Sequence, residues 1–174
     1  MDFYNVIQTR RSVRSFKKDP ISEEVLNRIL DAVRIAPSGS NRQPWKFILV
    51  KDETLKQKMV SVCQNQQFMA DAPLIVVACG QRLPLNRGGY MGEMSMLLDV
   101  AIAFTHLILA ARAEGLGTCW IGAFNNKEIK KLLKIPDEFE VVAATPLGYP
   151  SDANVFAEPK NRKSINEIVS LNKF

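Results

Sequence analysis

The segment between Glu93 and Glu114 constrains the fold more than any other part of the sequence, because it is apolar almost all round. A helix without a polar face must be enclosed by protein or lie at an interface. We therefore predict one long helix that is buried mid-domain or against a partner subunit, and that ends at Gly115. Its most apolar stretch, residues 96–111, contains Asp99 and His106 and is too short and polar to predict a membrane span.

The remaining sequence predicts several shorter elements around this helix. A first helix is expected at residues 2–8, and a second begins after Ser22 as its N-cap. Two more are expected from Asp52 to about residue 62 and at residues 127–134, the latter with Asn126 as N-cap. Strands are expected at 45–51, 74–80 and 139–149, and a loop at 81–92. Long helices with few strands favour a single α+β domain over residues 1–174.

Composition narrows the possible functions. The chain is 47% hydrophobic and 24% charged, which is typical of a globular protein. Its net charge of +5 is scattered, so nucleic-acid binding is not predicted. Cys63, Cys79 and Cys119 are odd in number and lack metal-ligand spacing. With no signal peptide recognised in MDFYNVIQTR, we expect a cytoplasmic protein with reduced thiols, no metal and no membrane segment.

The common catalytic signatures are absent from the sequence. We find no GxGxxG after a strand, no Walker loop, no HExxH and no GxSxG. His106, the single histidine, falls in the apolar helix and is interpreted as a satisfied core histidine rather than a base. Cys119 lies in an apolar stretch and is interpreted as a structural thiol rather than a nucleophile. A hydrolase or a metalloenzyme is therefore not favoured, and no catalytic side chain is predicted.

The segment TRRSVRSF, residues 9–16, is a candidate anion site. It places Arg10, Arg11 and Arg14 around Ser12 with no acidic residue inside it. Guanidinium groups match phosphate oxygens in bidentate geometry, and a serine hydroxyl adds a neutral donor. Arg10, Ser12 and Arg14 fall on alternate positions, so in an extended segment they would share one side. The alternative is a solvated basic turn that pairs with glutamates elsewhere.

The loop APSGSNRQPW, residues 36–45, is a second candidate. Its small residues would let the backbone approach a flat ligand closely, and Ser38, Ser40 and Asn41 offer polar contacts. The alternative is an ordinary connection between a helix and a strand. The loop is longer than such a connection requires, which favours a binding role.

Taken in order, these segments resemble the FMN-dependent nitroreductase family. The resemblance rests on RRSVRSF, SEEVLNRILDAV, APSGSNRQPWKF, NQQFMADAPLIVV, GLGTCWIGAF, LGYP and EPKNRKSINEIV, which together cover essentially the whole chain. It implies a nitroreductase-like fold with a central, mostly antiparallel sheet flanked by helices. It also implies an intertwined homodimer in which the C-terminal tail, about residues 151–174, embraces the partner subunit.

The resemblance also assigns site residues. It implies that the phosphate and nearby ring edge of FMN are bound by Arg10, Arg11, Ser12, Arg14, Lys160 and Arg162. Asn65 matches a contact to the flavin pyrimidine. The family supplies one further group from the second subunit, which here corresponds to Pro37, Ser38, Gly39 and Asn41. Ile121 and Gly122 match the turn whose backbone N–H faces flavin N5.

The implied function is oxidoreduction. A member of this family takes hydride from NADH or NADPH and passes it, by a ping-pong mechanism, to a nitroaromatic or quinone-like small molecule. Two alternatives stay open on sequence alone. One is a flavoenzyme of the same fold with a narrower role, in ene-reduction or flavin fragmentation. The other is a flavin carrier or sensor without turnover.

Overall fold

A four-stranded antiparallel sheet forms the centre of the protein in a computed structural model that describes residues 1–82 and 90–174. The strands are β1 (Trp45–Val50), β2 (Leu74–Gln81), β3 (Gly117–Thr118) and β4 (Phe139–Gly148), in the order β1-β2-β4-β3. Strand β2 is buried on both faces, as its continuous apolar sequence predicts, because helices cover the sheet on both sides. The prediction of an α+β fold with a mostly antiparallel sheet is confirmed.

Seven α-helices surround this sheet within the described part of the chain. They are α1 (Phe3–Thr9), α2 (Glu23–Arg34), α3 (Glu53–Val62), α4 (Phe68–Asp71), α5 (Tyr90–Ala113), α6 (Asn126–Leu133) and α7 (Ile165–Ile168). Two predicted N-caps are confirmed. The side chain of Ser22 accepts a hydrogen bond from the backbone of α2, and that of Asp52 accepts one from the backbone of α3.

Two predicted boundaries are wrong. The N-cap of α6 is Asn125, whose side chain accepts the N–H of Glu128 at 3.2 Å, and not Asn126. The Asn126 side chain is instead turned towards β4, where it donates to Glu140 at 2.6 Å. The predicted loop at 81–92 overlaps regular structure at both ends, since residue 81 belongs to β2 and residues 90–92 to α5. Residues 83–89 of that loop lie outside the described residues.

Helix α5 is the central helix that the sequence predicts. Val100, Phe104 and Leu107 are fully buried between α2 and one face of the sheet. His106 packs at the same contact, where its Nδ1 lies 3.0 Å from the Ala32 carbonyl oxygen of α2. This contact confirms that one ring nitrogen of His106 is satisfied, although the side chain is half-buried rather than part of the core.

The apolar part of α5 is longer than expected. Residues 94–113 form a 20-residue span with mean hydropathy 1.9, which is long and apolar enough to cross a membrane by length and composition. One helix of this kind is weak evidence for a membrane span, and 44% of it is buried inside the protein. Its uncovered side carries Leu98 and Ile102, which are 44% and 39% exposed.

Candidate functional site

The arginine segment lies along the open edge of the sheet, beside β3. Ser12 pairs with Thr118 as an isolated parallel bridge, and the Val13 N–H donates to the Thr118 carbonyl at 2.8 Å. Farther along, the Lys17 N–H donates to the carbonyl of Tyr149 at 2.8 Å. These bonds hold the segment extended, so its side chains alternate between the core and the outside.

Glycine permits this close approach. Any Cβ at Gly117 would lie 2.7 Å from Val13 Cγ2, which is closer than real side-chain contacts allow. Val13 is therefore buried against β3 at 1% exposure, while Ser12 and Arg14 on either side of it are exposed. The prediction that alternate residues share one side is confirmed for Ser12 and Arg14.

Positive charges converge at this edge. Burial lowers the pKa of Arg10, and the nearby guanidinium groups of Arg11 and Arg162 lower it further. The C-terminal tail therefore places Arg162 close enough to Arg10 for its charge to act on that guanidinium. No carboxylate among the described residues pairs with Arg10, Arg11 or Arg14. This arrangement does not support the alternative of a basic turn neutralised by glutamates.

Arg11 has an unmet hydrogen-bond donor. Its Nη1 donates to the carbonyl of Arg10, but its Nη2 is buried without a partner among the described residues. Buried polar atoms are nearly always hydrogen-bonded in native proteins, so an orphaned guanidinium nitrogen indicates a ligand or water that belongs there. An anion with several acceptor oxygens fits this environment of unneutralised cations.

Cys119 borders the same cluster. Burial raises the pKa of its thiol, while Arg14, a hydrogen bond from Ser12 and Arg10 act in the opposite direction. The thiol is 3% exposed, and the backbone N–H of Cys119 donates to Thr145 Oγ1 at 3.0 Å. The prediction that Cys119 has apolar surroundings is wrong on one side, where the thiol is close to Arg14 and Arg10. Burial nevertheless keeps it protonated, as expected for a structural thiol.

The turn that follows Cys119 contains both backbone donors predicted to face a flavin, those of Ile121 and Gly122. Ile121 exchanges two hydrogen bonds with Ala144, and its N–H donates to the Ala144 carbonyl at 2.8 Å. The N–H of Gly122 has no partner among the described residues, and Gly122 is exposed. Of the two donors predicted to face a flavin, only that of Gly122 is therefore free to bind a ligand.

The loop of residues 37–41 is anchored to α5. The Gly39 N–H donates to the Asp99 carboxylate at 2.9 Å, and the Ser38 hydroxyl accepts the Gln43 N–H at 2.9 Å. Three non-glycine residues of the segment 37–43 have left-handed backbone, with φ of 55° at Ser40 and Asn41 and 51° at Gln43. Such clustered positive φ angles are costly and are often found at binding sites.

This loop and the arginine cluster lie far apart in one chain. The loop is attached to α5 at Asp99, whereas the arginine segment is attached to α5 at Arg112, whose Nε donates to Thr9 Oγ1 at 3.0 Å. With a rise of about 1.5 Å per residue, these two points on α5 are roughly 20 Å apart. One subunit thus brings together only part of the predicted site.

The other predicted residues are exposed, and no hydrogen bond or ion pair joins them to the cluster among the described residues. Asn65 has left-handed backbone, with φ of 57°, in the turn after α3. Lys160 lies in the exposed tail, and Pro37 is exposed at the start of its loop. A cavity of about 770 Å³ lies elsewhere, between α6 and β4, and four lysines are among the residues that line it.

Arg112 is the residue at this site that sequence reasoning missed. It is 7% exposed, and its guanidinium stacks on the Phe156 ring at 4.0 Å from the centroid. The sequence contains one signal for it, an arginine near the end of an otherwise apolar helix. Its partners Thr9 and Phe156 are distant in sequence, so the pairing could not be read from the sequence.

Comparison with known proteins gives a consistent result. A model of the nitroreductase family matches residues 7–67 and 57–149. A protein of Archaeoglobus fulgidus named as an NADH dehydrogenase/NAD(P)H nitroreductase is 34% identical, with 94% of each chain covered. The crystal structure of a nitroreductase family protein from Clostridium novyi NT superposes with a TM-score of 0.82 at 40% identity, covering 88% of each chain.

Relatives with other names match as well. FMN reductase [NAD(P)H] of Bacillus subtilis is 28% identical over 90% of this chain and 69% of its own length. Iodotyrosine deiodinase of Thermotoga neapolitana is 29% identical over 95% of both chains. The relatives are therefore named for several different reactions.

Proposed function

We propose that this chain, which belongs to the nitroreductase family, is an FMN-dependent enzyme that passes hydride from NADH or NADPH to nitroaromatic or quinone-like acceptors. The names of two relatives, an NAD(P)H nitroreductase and an FMN reductase, support the class of reaction. We propose the cytoplasm as its compartment, because Cys63, Cys79 and Cys119 are all free thiols.

One observation carries the assignment of FMN. Arg10, Arg11 and Arg162 are brought together without a neutralising carboxylate, and Arg11 has a buried nitrogen without a partner. A phosphate monoester carries nearly two negative charges and three strong acceptor oxygens, which match this set of donors. The sequence has no dinucleotide fingerprint to hold an adenylate, so we propose FMN rather than FAD.

The protein's own contribution is binding and orientation. Bound FMN would supply the group that accepts and returns hydride, so no side chain need act as a nucleophile or base. Arg10, Arg11, Ser12, Arg14, Lys160 and Arg162 would hold the phosphate and the nearby ring edge, and the N–H of Gly122 would donate to the ring. Cys119 and His106 are proposed to be structural, since each is engaged in packing and hydrogen bonds.

We propose that the complete site forms only in a homodimer. The loop of Pro37, Ser38, Gly39 and Asn41 lies roughly 20 Å along α5 from the arginine cluster, so a second copy would have to supply it. Exposed apolar side chains are available for such an interface: Phe3, Tyr4, Ile7, Leu98, Ile102, Ile165, Ile168, Val169 and Leu171. Sedimentation of the flavin-loaded protein tests this, and a stable loaded monomer at micromolar concentration would contradict it.

A matched pair of variants tests the phosphate site. Arg162→Ala removes a proposed phosphate ligand, and Lys163→Ala removes the same charge from the next, equally exposed residue. Losing one charge-assisted donor costs about 1.5–3 kcal/mol, so Arg162→Ala should weaken FMN binding by roughly 10- to 150-fold. Lys163→Ala should bind FMN within about threefold of the wild type, because only long-range, screened attraction is lost.

Riboflavin separates phosphate recognition from general damage. Because riboflavin lacks the phosphate, its dissociation constant should be the same in the wild type and in both variants. Fluorescence titration of the apo-protein with each flavin measures this. Equal losses for FMN and riboflavin in Arg162→Ala, or equal FMN losses in both variants, would contradict the proposed phosphate site.

Turnover separates the enzyme from its alternatives. Anaerobic mixing of the FMN-loaded protein with NADH or NADPH should bleach the flavin, and a nitroaromatic or a quinone should restore its colour. A carrier or sensor would bind FMN tightly but would not be bleached. A protein that is bleached but reduces only iodotyrosine, or only an activated alkene, would have a narrower function.

A further inference from the structure

Arg112 joins the two chain segments that form the arginine cluster. Its Nε donates to Thr9 Oγ1 at 3.0 Å, and Thr9 directly precedes Arg10. The other side of the same guanidinium covers the Phe156 ring at 4.0 Å, and Phe156 begins the stretch of tail that leads to Arg162. A single buried side chain of α5 therefore contacts one segment at the residue before Arg10 and the other segment six residues before Arg162.

Other contacts fix only parts of these segments. Backbone hydrogen bonds hold residues 12–17 against β3 and against the chain after β4, and the Arg10 N–H donates to the Val6 carbonyl of α1 at 3.0 Å. Phe156 is partly buried beside Val13 and Phe16, whereas residues 157–174 are all exposed. The contacts of Arg112 therefore tie the end of α1, beside Arg10, to α5, and they hold the tail at Phe156, beyond which it is exposed.

The chemistry of arginine suits this role. A guanidinium can stack on an aromatic ring through its plane while it donates a hydrogen bond in that plane, which a lysine ammonium cannot do. Arg112 has no acidic partner among the described residues, and burial lowers its pKa. A cation kept in a buried position without a salt bridge is not explained by charge pairing, but it is explained by this double contact.

We infer that Arg112 is a positioning residue for the cofactor's phosphate site, which it builds by fixing Thr9 and Phe156 so that Arg10 and Arg162 converge. This inference rests on the proposed function, because it assigns FMN as the ligand of the cluster. Arg112 itself does not touch the cofactor. It acts through the backbone of the two segments that it holds.

The first test measures FMN affinity in matched variants. Arg112→Met keeps the long stem but removes the fork, and should raise the dissociation constant for FMN by about tenfold. Arg112→Lys can still donate to Thr9 but loses the planar stacking, so its loss should be smaller. Riboflavin affinity should not change in either variant, because the phosphate cluster alone is displaced.

Glu114→Gln is the control for damage to this end of the helix. Glu114 lies two residues after Arg112 and pairs with Arg28 at 2.8 Å, with no contact to Thr9 or Phe156 among the described residues. Its loss should lower the thermal midpoint but leave FMN affinity within about twofold. If Arg112 had only a structural role, Arg112→Met would also lower the thermal midpoint and leave FMN affinity within about twofold.

The second test needs no cofactor. Trypsin can cut the tail of the apo-protein after Lys160, Arg162 and Lys163, and mass spectrometry follows the loss of the tail. Arg112→Met should be cut several times faster than the wild type, and so should Phe156→Leu, which removes the stacking partner. Glu114→Gln should be cut at the wild-type rate.

The two tests together decide the inference. Weaker FMN binding with unchanged riboflavin binding, and faster tail cleavage, support it. FMN binding within twofold of the wild type in Arg112→Met, or equal losses in Glu114→Gln, or unchanged cleavage would each overturn it. If the wild type binds no FMN, the proposed function fails, and the cleavage rates alone decide whether Arg112 anchors the tail.

Discussion

Replacing Gly122 by proline tests the free one of the two backbone donors that were predicted to face the flavin. Proline removes the N–H, and Gly122→Ala keeps it. An alanine Cβ would lie no closer than 3.8 Å to its nearest neighbour, Trp120 Nε1, and the φ of Gly122 is not left-handed. The residue before a proline prefers extended backbone, and Ile121 already has a bridge to Ala144. Both variants should therefore fold.

The size of the effect follows from the type of hydrogen bond lost. A neutral hydrogen bond contributes about 0.5–1.5 kcal/mol net, so Gly122→Pro should weaken FMN binding by roughly 2- to 13-fold. Hydride arrival adds negative charge to the ring, and hydrogen bonds to charged groups contribute about 1.5–3 kcal/mol. The difference of about 1–1.5 kcal/mol should slow flavin reduction by a further factor of roughly 5 to 13.

The assay is anaerobic stopped-flow bleaching of the flavin by NADH or NADPH at saturating FMN, with circular dichroism as the folding control. Saturating FMN removes the contribution of weaker binding, so the measured rate reports the hydride step alone. Gly122→Ala should match the wild type within about twofold. A folded Gly122→Pro protein that is reduced as fast as Gly122→Ala would refute the assignment of this N–H to the flavin.

Three further outcomes are expected elsewhere in the protein. Lys56 is 1% exposed, and its ammonium donates to the carbonyls of Ala70 and Ala72 at the end of α4. Lys56→Met should therefore lower the free energy of unfolding by about 2–4 kcal/mol in urea titrations. An unchanged urea midpoint would contradict this. Burial raises the pKa of Cys63 and of Cys79 from 9.0 to about 11. Between these pH values the folded state keeps thiol protons that the unfolded state loses. The free energy of unfolding should therefore fall as pH rises from 9 to 11. Replacing both cysteines by alanine should remove this part of the fall in unfolding free energy. An unchanged slope of unfolding free energy against pH would argue against the prediction. Cys119→Ala and His106→Ala should keep the rate of flavin bleaching once folded and loaded, and loss of hydride acceptance in a folded Cys119→Ala protein would overturn the proposed mechanism.

The features that the sequence predicted well depend on local patterns. The apolar run of α5, the caps Ser22 and Asp52, and the continuous hydrophobic run of β2 each determine an element through neighbouring residues. The side-chain alternation of the arginine segment is equally local, because it follows from an extended backbone. These elements supply most of the core and one half of the candidate site.

The features that it did not predict depend on contacts between distant residues. The N–H of Ile121 is taken by Ala144, and Arg112 is placed between Thr9 and Phe156, through pairings that no local pattern specifies. The choice of Asn125 over Asn126 as the cap of α6 has the same origin. Both asparagines are good caps, and the contact of Asn126 with β4 decides between them.

The arrangement of charges links cofactor binding to the stability of the fold. Burial and the nearby charges of Arg11 and Arg162 both disfavour the charged form of Arg10, so the apo-protein holds these cations together at an energetic cost. The backbone bonds of residues 12–17, together with Arg112, keep the segments in place despite that repulsion. An anion that binds the folded cluster but not the unfolded chain removes the repulsion and stabilises the fold by mass action. Unneutralised cations at this edge are therefore better explained as a preformed site for a dianion than as a surface feature, because nothing else among the described residues compensates them.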